Sequence, residues 1–307
     1  MQDINENASK KNAIRNSRSD SAFYFANYLF LFLCFLVVFY PIWNVIMCSL
    51  SSPQEVIAGR VTLWPRKFNI NAYQQIFNNK MLMNGYKNSI TYTVAGTFIN
   101  IVMTLALAYP LSRKDFVGRG AITALFVFTM IFSAPLIPSY LNIRRLGLID
   151  TFWVMVIPGA ISTYNMIIAR TFFQSSIAEE MIEAAELDGA TDMKILTKLV
   201  LPLSKAVIAV LVLYYAVGHW NTYFSALIYL NTETKFPLQL VLRTILTNAQ
   251  QLQEMADSIS DADSARLALV EVMKYAIIVF GSLPVLMLYP FVQKYFVKGV
   301  MIGSLKG

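Results

Sequence analysis

"EAAELDGATDMKILTKLVLPLSK", Glu183 to Lys205, is the stretch whose reading decides the fold. It holds four acids, Glu183, Glu186, Asp188 and Asp192, and no aromatic residue, yet it lies between two long apolar runs. On a 3.6-residue wheel Ile177, Ala178, Met181, Ile182, Ala184 and Ala185 gather on one side of the preceding turns. Glu179, Glu180, Glu183 and Glu186 gather on the other. Ser176 with Glu179 fits a capping box. Gly189 supplies the left-handed stop that only glycine enters without strain. Thr191 or Asp192 can cap a second short helix, and Pro202 marks the entry to the next run. Helices that lie on lipid usually place Lys and Arg on their polar face. Glutamates there would be repelled by anionic headgroups. A small apolar face with an acidic rim suits a groove on a basic protein partner, so the hairpin reads as a docking element.

The rest of the chain is greasy. Of 307 residues 56% are hydrophobic and 14% charged, with a mean hydropathy of +0.52. Soluble domains carry about 25% charged residues, so the chain reads as an all-α integral membrane protein. Cys34 and Cys48 both fall in the first apolar run, which gives neither a disulfide framework nor a zinc site. The net charge of +7 sits in short segments between runs, the pattern of membrane topology and not of nucleic-acid binding.

A transmembrane helix needs about 20 apolar residues. Six runs meet this, at about 22–50, 86–111, 121–141, 151–173, 206–230 and 270–292. The first is too long for a signal-peptide core and reads as a retained span. Residues 1–20 read as a flexible tail and 21–307 as one six-span domain. The domain divides into a core at about 86–292, a loop at about 175–202 and a tail at 293–307. Lys10, Lys11, Arg15 and Arg18, then Arg113, Lys114 and Arg119, then Lys294, Lys298 and Lys306 all fall on one side. That side is cytoplasmic, with both termini and the hairpin, and Arg144 and Arg145 are a local exception. Loops 51–85 and 231–269 fall outside.

Glu183-Ala184-Ala185, Gly189 and Leu199-x-Leu201-Pro202 resemble the "EAA…G…I-x-LP" loop of permease subunits in binding-protein-dependent ABC importers. Leucine stands here in place of the usual isoleucine. "EAAELDGA", "GHWNTYFSALIYL" and "YPFVQKYFVKGVMIGSLKG" are similar to the carbohydrate-uptake, maltose-type branch and its oligosaccharide permeases. The resemblance implies a type I ABC importer permease fold in a prokaryotic plasma membrane, with a cytoplasmic coupling helix between spans 4 and 5. Glu183 would pair with a basic residue of an ATPase. Ala184 and Ala185 would let the helix lie close, Asp188 and Gly189 would form the turn, and Leu201-Pro202 would anchor the second arm. The implied partners are two cytoplasmic ATPases, a second six-span permease (commonly as a heterodimer), an extracellular solute-binding protein, a sugar and membrane lipid. This chain would bind no cofactor and would not itself be an enzyme. It lacks a G-x-x-x-x-G-K-S/T phosphate loop, and ATP with magnesium would sit on the partner ATPases.

For the solute path, Thr93, Thr97, Asn100 and Thr104 form one stripe of span 2, a pattern that also serves helix packing. Tyr214, Gly218, Asn221 and Ser225 share a face of span 5 beside His219 and Trp220, and span 4 offers Ser162, Tyr164 and Asn165. Amides suit sugar hydroxyls, and aromatic rings suit sugar C–H faces. The path candidates are therefore Asn221, Trp220, Tyr214, Asn100, Thr97 and Asn165. His219, the one histidine, reads as a packed, hydrogen-bonded residue. No ionisable carboxylate or cation sits at the centre of a span, which disfavours an ion-coupled carrier or a membrane hydrolase. In loop 231–269, Glu254, Asp257, Asp261 and Asp263 face the side of the binding protein. The alternatives are an ABC permease for a polyol or glycerol phosphate, an ion-coupled secondary carrier, and a membrane scaffold that recruits a cytoplasmic protein.

Overall fold

The structure, a computed structural model, describes residues 18–254, 270–287, 290 and 293. Every regular element among them is helical. Helix α1, Arg18–Ser49, is apolar all round and exposed over most of its length, as a helix facing lipid must be. It begins within the segment read as a tail. It meets the rest of the chain through its last turns, where the Trp43 indole donates to Leu63 O at 2.9 Å. Two short helices, α2 (Pro53–Ile57) and α3 (Asn71–Asn78), shape the following loop. There Glu55 pairs with Lys67 at 3.0 Å, and that bond holds the Glu55 carboxyl below its ordinary range.

Helix α4, Lys80–Ser112, is the axis of the fold. Asn79 caps it by accepting from the N–H groups of Met81 and Leu82 at 3.0 and 3.2 Å. Packed on it are α3, α5 (Arg119–Ile131), α7 (Thr163–Ser176), α11 (Lys205–Trp220) and α13 (Leu238–Glu254). Between these lie α6 (Leu136–Arg145), α8 (Glu179–Leu187), α9 (Asp192–Ile195), α10 (Leu201–Leu203) and α12 (Phe224–Tyr229), with α14 (Val270–Met287) last. One apolar cluster joins Ile76, Leu82, Trp220, Leu238 and Ile277 at one end. A second joins Leu111, Met166, Ile182, Val200 and Leu211 at the other.

Among the described residues α1, α4 and α14 are each long and apolar enough to cross a membrane. The third run is bent by 117° between α5 and α6, where Pro135 interrupts the ladder. Helix α11, which opens the fifth run, follows Asp192–Leu203 across an 83° bend. Just before that bend the backbone widens into a π turn over Leu196–Val200, with Leu201 N–H reaching Leu196 O. Pro202 follows and has no N–H to give. Counting each bent pair as one span brings the number to five.

The fourth run, 151–173, is not one helix. It opens with a 3-10 turn at Phe152–Met155, breaks at Pro158 and Gly159, and resumes as α7. Gly159 has φ +76°, which a side chain would strain. Hydropathy misses this break because neither proline nor glycine lowers the apolar average. Run 206–230 is also divided, with α11 ending at Trp220 and α12 starting at Phe224. The face that joined Tyr214 to Ser225 is therefore split between two helices.

Different segments meet at the two ends of the axis. Arg170 Nε donates to Leu111 O at 2.9 Å, and Lys114 pairs with Glu179, so the 113–119 link meets the hairpin. At the opposite end Asn88 donates to Thr234 O and Phe236 O, and Tyr92 donates to Lys235 O. The basic residues Lys10, Lys11 and Arg15, the acids Asp257, Asp261 and Asp263, and the lysines Lys294, Lys298 and Lys306 lie outside the described residues.

Candidate functional site

At the hairpin, helix α8 ends in a Schellman turn. Gly189 N–H donates to Glu186 O at 2.9 Å and Ala190 N–H to Ala185 O at 3.0 Å, with Gly189 at φ +74°. Ile182 is the one side chain of α8 that is buried, and it packs with Ile177, Ile195 and Val200. Ala185 and Leu201 pack at the margin of that cluster. Glu183, Ala184, Asp188 and Pro202 are exposed. Leu187 is 90% exposed and Met193 67%, so the tip of the hairpin presents an acid-rimmed apolar surface.

The capping box is corrected here. Ser176 is the last residue of α7, and the cap of α8 is Ala178, whose side chain can accept nothing. Glu179 instead points to Lys114. The apolar face is also narrower than the wheel gives, since Met181 and Ala184 remain exposed. Thr191 takes the cap position of α9 without a side-chain bond.

The span 2 stripe turns inward. Asn100 is 2% exposed and uses its amide fully. Its Nδ2 donates to Gly159 O at 3.0 Å and Ala160 O at 2.9 Å, which satisfies carbonyls freed by the break before α7. Its Oδ1 lies 2.7 Å from His219 Nε2, so His219 is the packed, bonded residue that its isolation indicated. Gly96 makes room for that ring, because a Cβ there would stand 2.4 Å from it. Thr104 and Tyr215 share a 2.6 Å hydroxyl contact, and Thr97 is buried. Asn165 is buried in α7, where its N–H reaches Ser162 Oγ.

Two other path candidates face outward. Tyr214 is 43% exposed, with its ring 6.4 Å from that of Tyr164. Asn221, at the end of α11, lines a cleft of about 790 Å3 between α11, α13 and α14. Trp220 forms the wall beside it, itself 4% exposed, with its indole N–H given to Gly281 O at 2.9 Å. The same cleft holds Arg243, whose guanidinium lies 4.7 Å from the centre of the Tyr223 ring. Sequence reasoning left Arg243 inside an outer loop. The available signal was one arginine in the apolar stretch "LQLVLRTIL".

A further cluster was also missed. Asp150 accepts from Asn231 N–H, Thr232 N–H and Thr232 Oγ1, and pairs with Lys235 Nζ at 2.8 Å. The Lys235 bond first, then the Thr232 bonds, hold its carboxyl well below the usual carboxylate range. The residue sits at φ +56° and ties the 146–151 link to the 230–235 segment.

Long apolar helices around one polar-bonded axis, with an acidic hairpin at one end and a cleft at the other, define a multi-pass helical membrane protein. The chain belongs to the family of binding-protein-dependent transport system inner membrane components, whose sequence profile matches residues 81–302. It is 39% identical over 280 residues to the polygalacturonan/rhamnogalacturonan transport system permease protein YtcP of Bacillus subtilis, covering 91% of this chain and 96% of that one. It is 36% identical over 294 residues to protein LplC of Bacillus subtilis, covering 96% and 98%. Among solved structures, a chain of a bacterial ABC transporter involved in the import of the acidic polysaccharide alginate superposes with a TM-score of 0.82 at 35% identity. That match covers 92% of this chain and 99% of the other.

Proposed function

We propose that this chain is the permease subunit of an ATP-driven importer for oligosaccharides. It forms the path with a second permease subunit and takes its solute from an extracellular binding protein. The observation that carries the reading is the hairpin at Gly189. Its one buried anchor, Ile182, fixes α8 to the body, while Glu183, Ala184 and Leu187 stand free for another protein. ATPase closure would push α8. The bend at Ser204 and the π turn before it would pass that movement to α11. Both termini and the hairpin lie in the cytoplasm, and ATP with magnesium sits on the separate ATPases.

Family membership and the relatives' names support the carbohydrate assignment. Asn221 and the Trp220 wall of the cleft offer the mix of amide and aromatic groups that sugars need. Asn100, Thr97 and Asn165 would hold the path's shape from within the helix packing, with Tyr214 on its exposed side. Affinity purification of the tagged full-length chain from its native membrane tests the reading. It should bring down an ATPase and a second multi-pass chain. Recovery of the chain alone, with uptake that follows an ion gradient, would replace the reading with a secondary carrier.

A further inference from the structure

We infer that the cleft between α11, α13 and α14 receives a carboxylate of the transported sugar and that Arg243 is its receptor, so the solute class is an acidic, uronate-bearing oligosaccharide. The inference rests on the oligosaccharide reading above and adds the charge of the solute. Helix α13 points one polar stripe into the cleft, made of Gln239, Arg243, Thr247 and Gln250. These recur at i, i+4, i+8 and i+11, so the stripe follows one helical face. Leu238 and Val241, which point away from the cleft, are fully buried. The arginine is therefore aimed by the packing of its own helix.

Among the described residues nothing neutralises it. Arg243 is, among the described residues, the one cation of the lining; among them no Asp or Glu lines the cleft, and no carboxylate lies within ion-pair range of it. The Tyr223 ring supports one face of the guanidinium and uses none of its N–H fork. Such a fork matches a carboxylate in two parallel hydrogen bonds. A cation beside the path of a membrane protein would hinder a neutral solute only by its hydration, but it gives an acidic one a counter-charge. The neighbouring groups fit the remainder of a sugar. Asn221 and Gln239 offer amides to hydroxyls, and the volume of about 790 Å3 lies within the range of small-ligand sites, roughly 300–1,000 Å3.

The test uses the complete importer, with its binding protein, in proteoliposomes. The probes are tetragalacturonate and its fully methyl-esterified form, which keep one backbone and differ in charge. Wild type should take up the acid in preference to the ester. Arg243→Gln should reduce that preference at least tenfold, the scale of one lost charge-assisted pair, and Arg243→Lys should retain part of it. Thermal stability of each complex is measured alongside. If Arg243→Gln lowers stability and depresses both uptakes alike, the arginine only supports Tyr223 and the inference fails. It also fails if wild type prefers the ester, or if the variant keeps the wild-type ratio. The underlying oligosaccharide reading fails separately, if wild type imports neither probe nor any member of a neutral glycan panel.

Discussion

Replacing Gly96 with alanine tests the packing of the axis at its tightest point. The new methyl would stand 2.4 Å from Cε1 and Nε2 of His219 and 2.8 Å from Nδ1, where carbon contacts settle at about 3.5–4.0 Å. The ring must therefore move by about 1 Å or more. It cannot do so freely, because Nε2 is the atom held 2.7 Å from Asn100 Oδ1. Overpacking costs about 1–3 kcal/mol. Stranding the 2%-exposed Asn100 oxygen adds about 1–3 kcal/mol. Alanine's better helix propensity returns up to about 1 kcal/mol. The net expectation is a loss of about 1–5 kcal/mol, read as a lower denaturation midpoint of the purified complex. Gly218→Ala is the internal control, since nothing lies within 4 Å of a Cβ there, and it should be neutral or slightly stabilising. The double variant Gly96→Ala with His219→Ala should relieve the clash, giving a coupling of about 1–3 kcal/mol. Wild-type stability for Gly96→Ala, or strictly additive losses in the double variant, would refute the reasoning.

Glu183→Lys should insert normally but lose ATPase co-purification and sugar uptake, and wild-type values for both would remove α8 from the coupling role. Asn221→Ala should change the uptake ratio of two related sugars while the complex keeps its stability; a stability loss with an unaltered ratio would assign Asn221 to packing. The Asp150 clamp yields a pH prediction. Its folded carboxyl titrates below the free value of about 3.9, so its contribution is complete above that value and is lost only as pH falls through the lower folded one. The melting-temperature gap between wild type and Asp150→Asn should therefore be flat from about pH 5 to 8, and a gap that closes on going from pH 7 to 5 would contradict the assignment.

The hairpin was legible because its information is local. Alternating alanines and glutamates set the faces of α8, and a glycine stood where the left-handed turn falls. The capping box failed for an equally local reason. Ser176 had the right spacing to Glu179, but α7 continues through Ser176 and claims it. The long apolar runs marked α1, α4 and α14, yet hydropathy could not report where a run bends or breaks, because the residues responsible at 135, 158 and 159 are not polar. The pairing of Gly96 and Asn100 with His219 joins residues more than a hundred positions apart, and no period in the sequence encodes it. Arg243 was visible as a residue but not as a site. Its meaning comes from the cleft that α11 and α14 build around it.

The most direct test of the central claim is sugar uptake by the complete complex in proteoliposomes, with ATP either enclosed with the ATPases or left out. The account predicts that an oligosaccharide delivered by the binding protein accumulates only when ATP is present, whatever ion gradient is imposed. Accumulation without ATP, driven by a sodium or proton gradient, would contradict it.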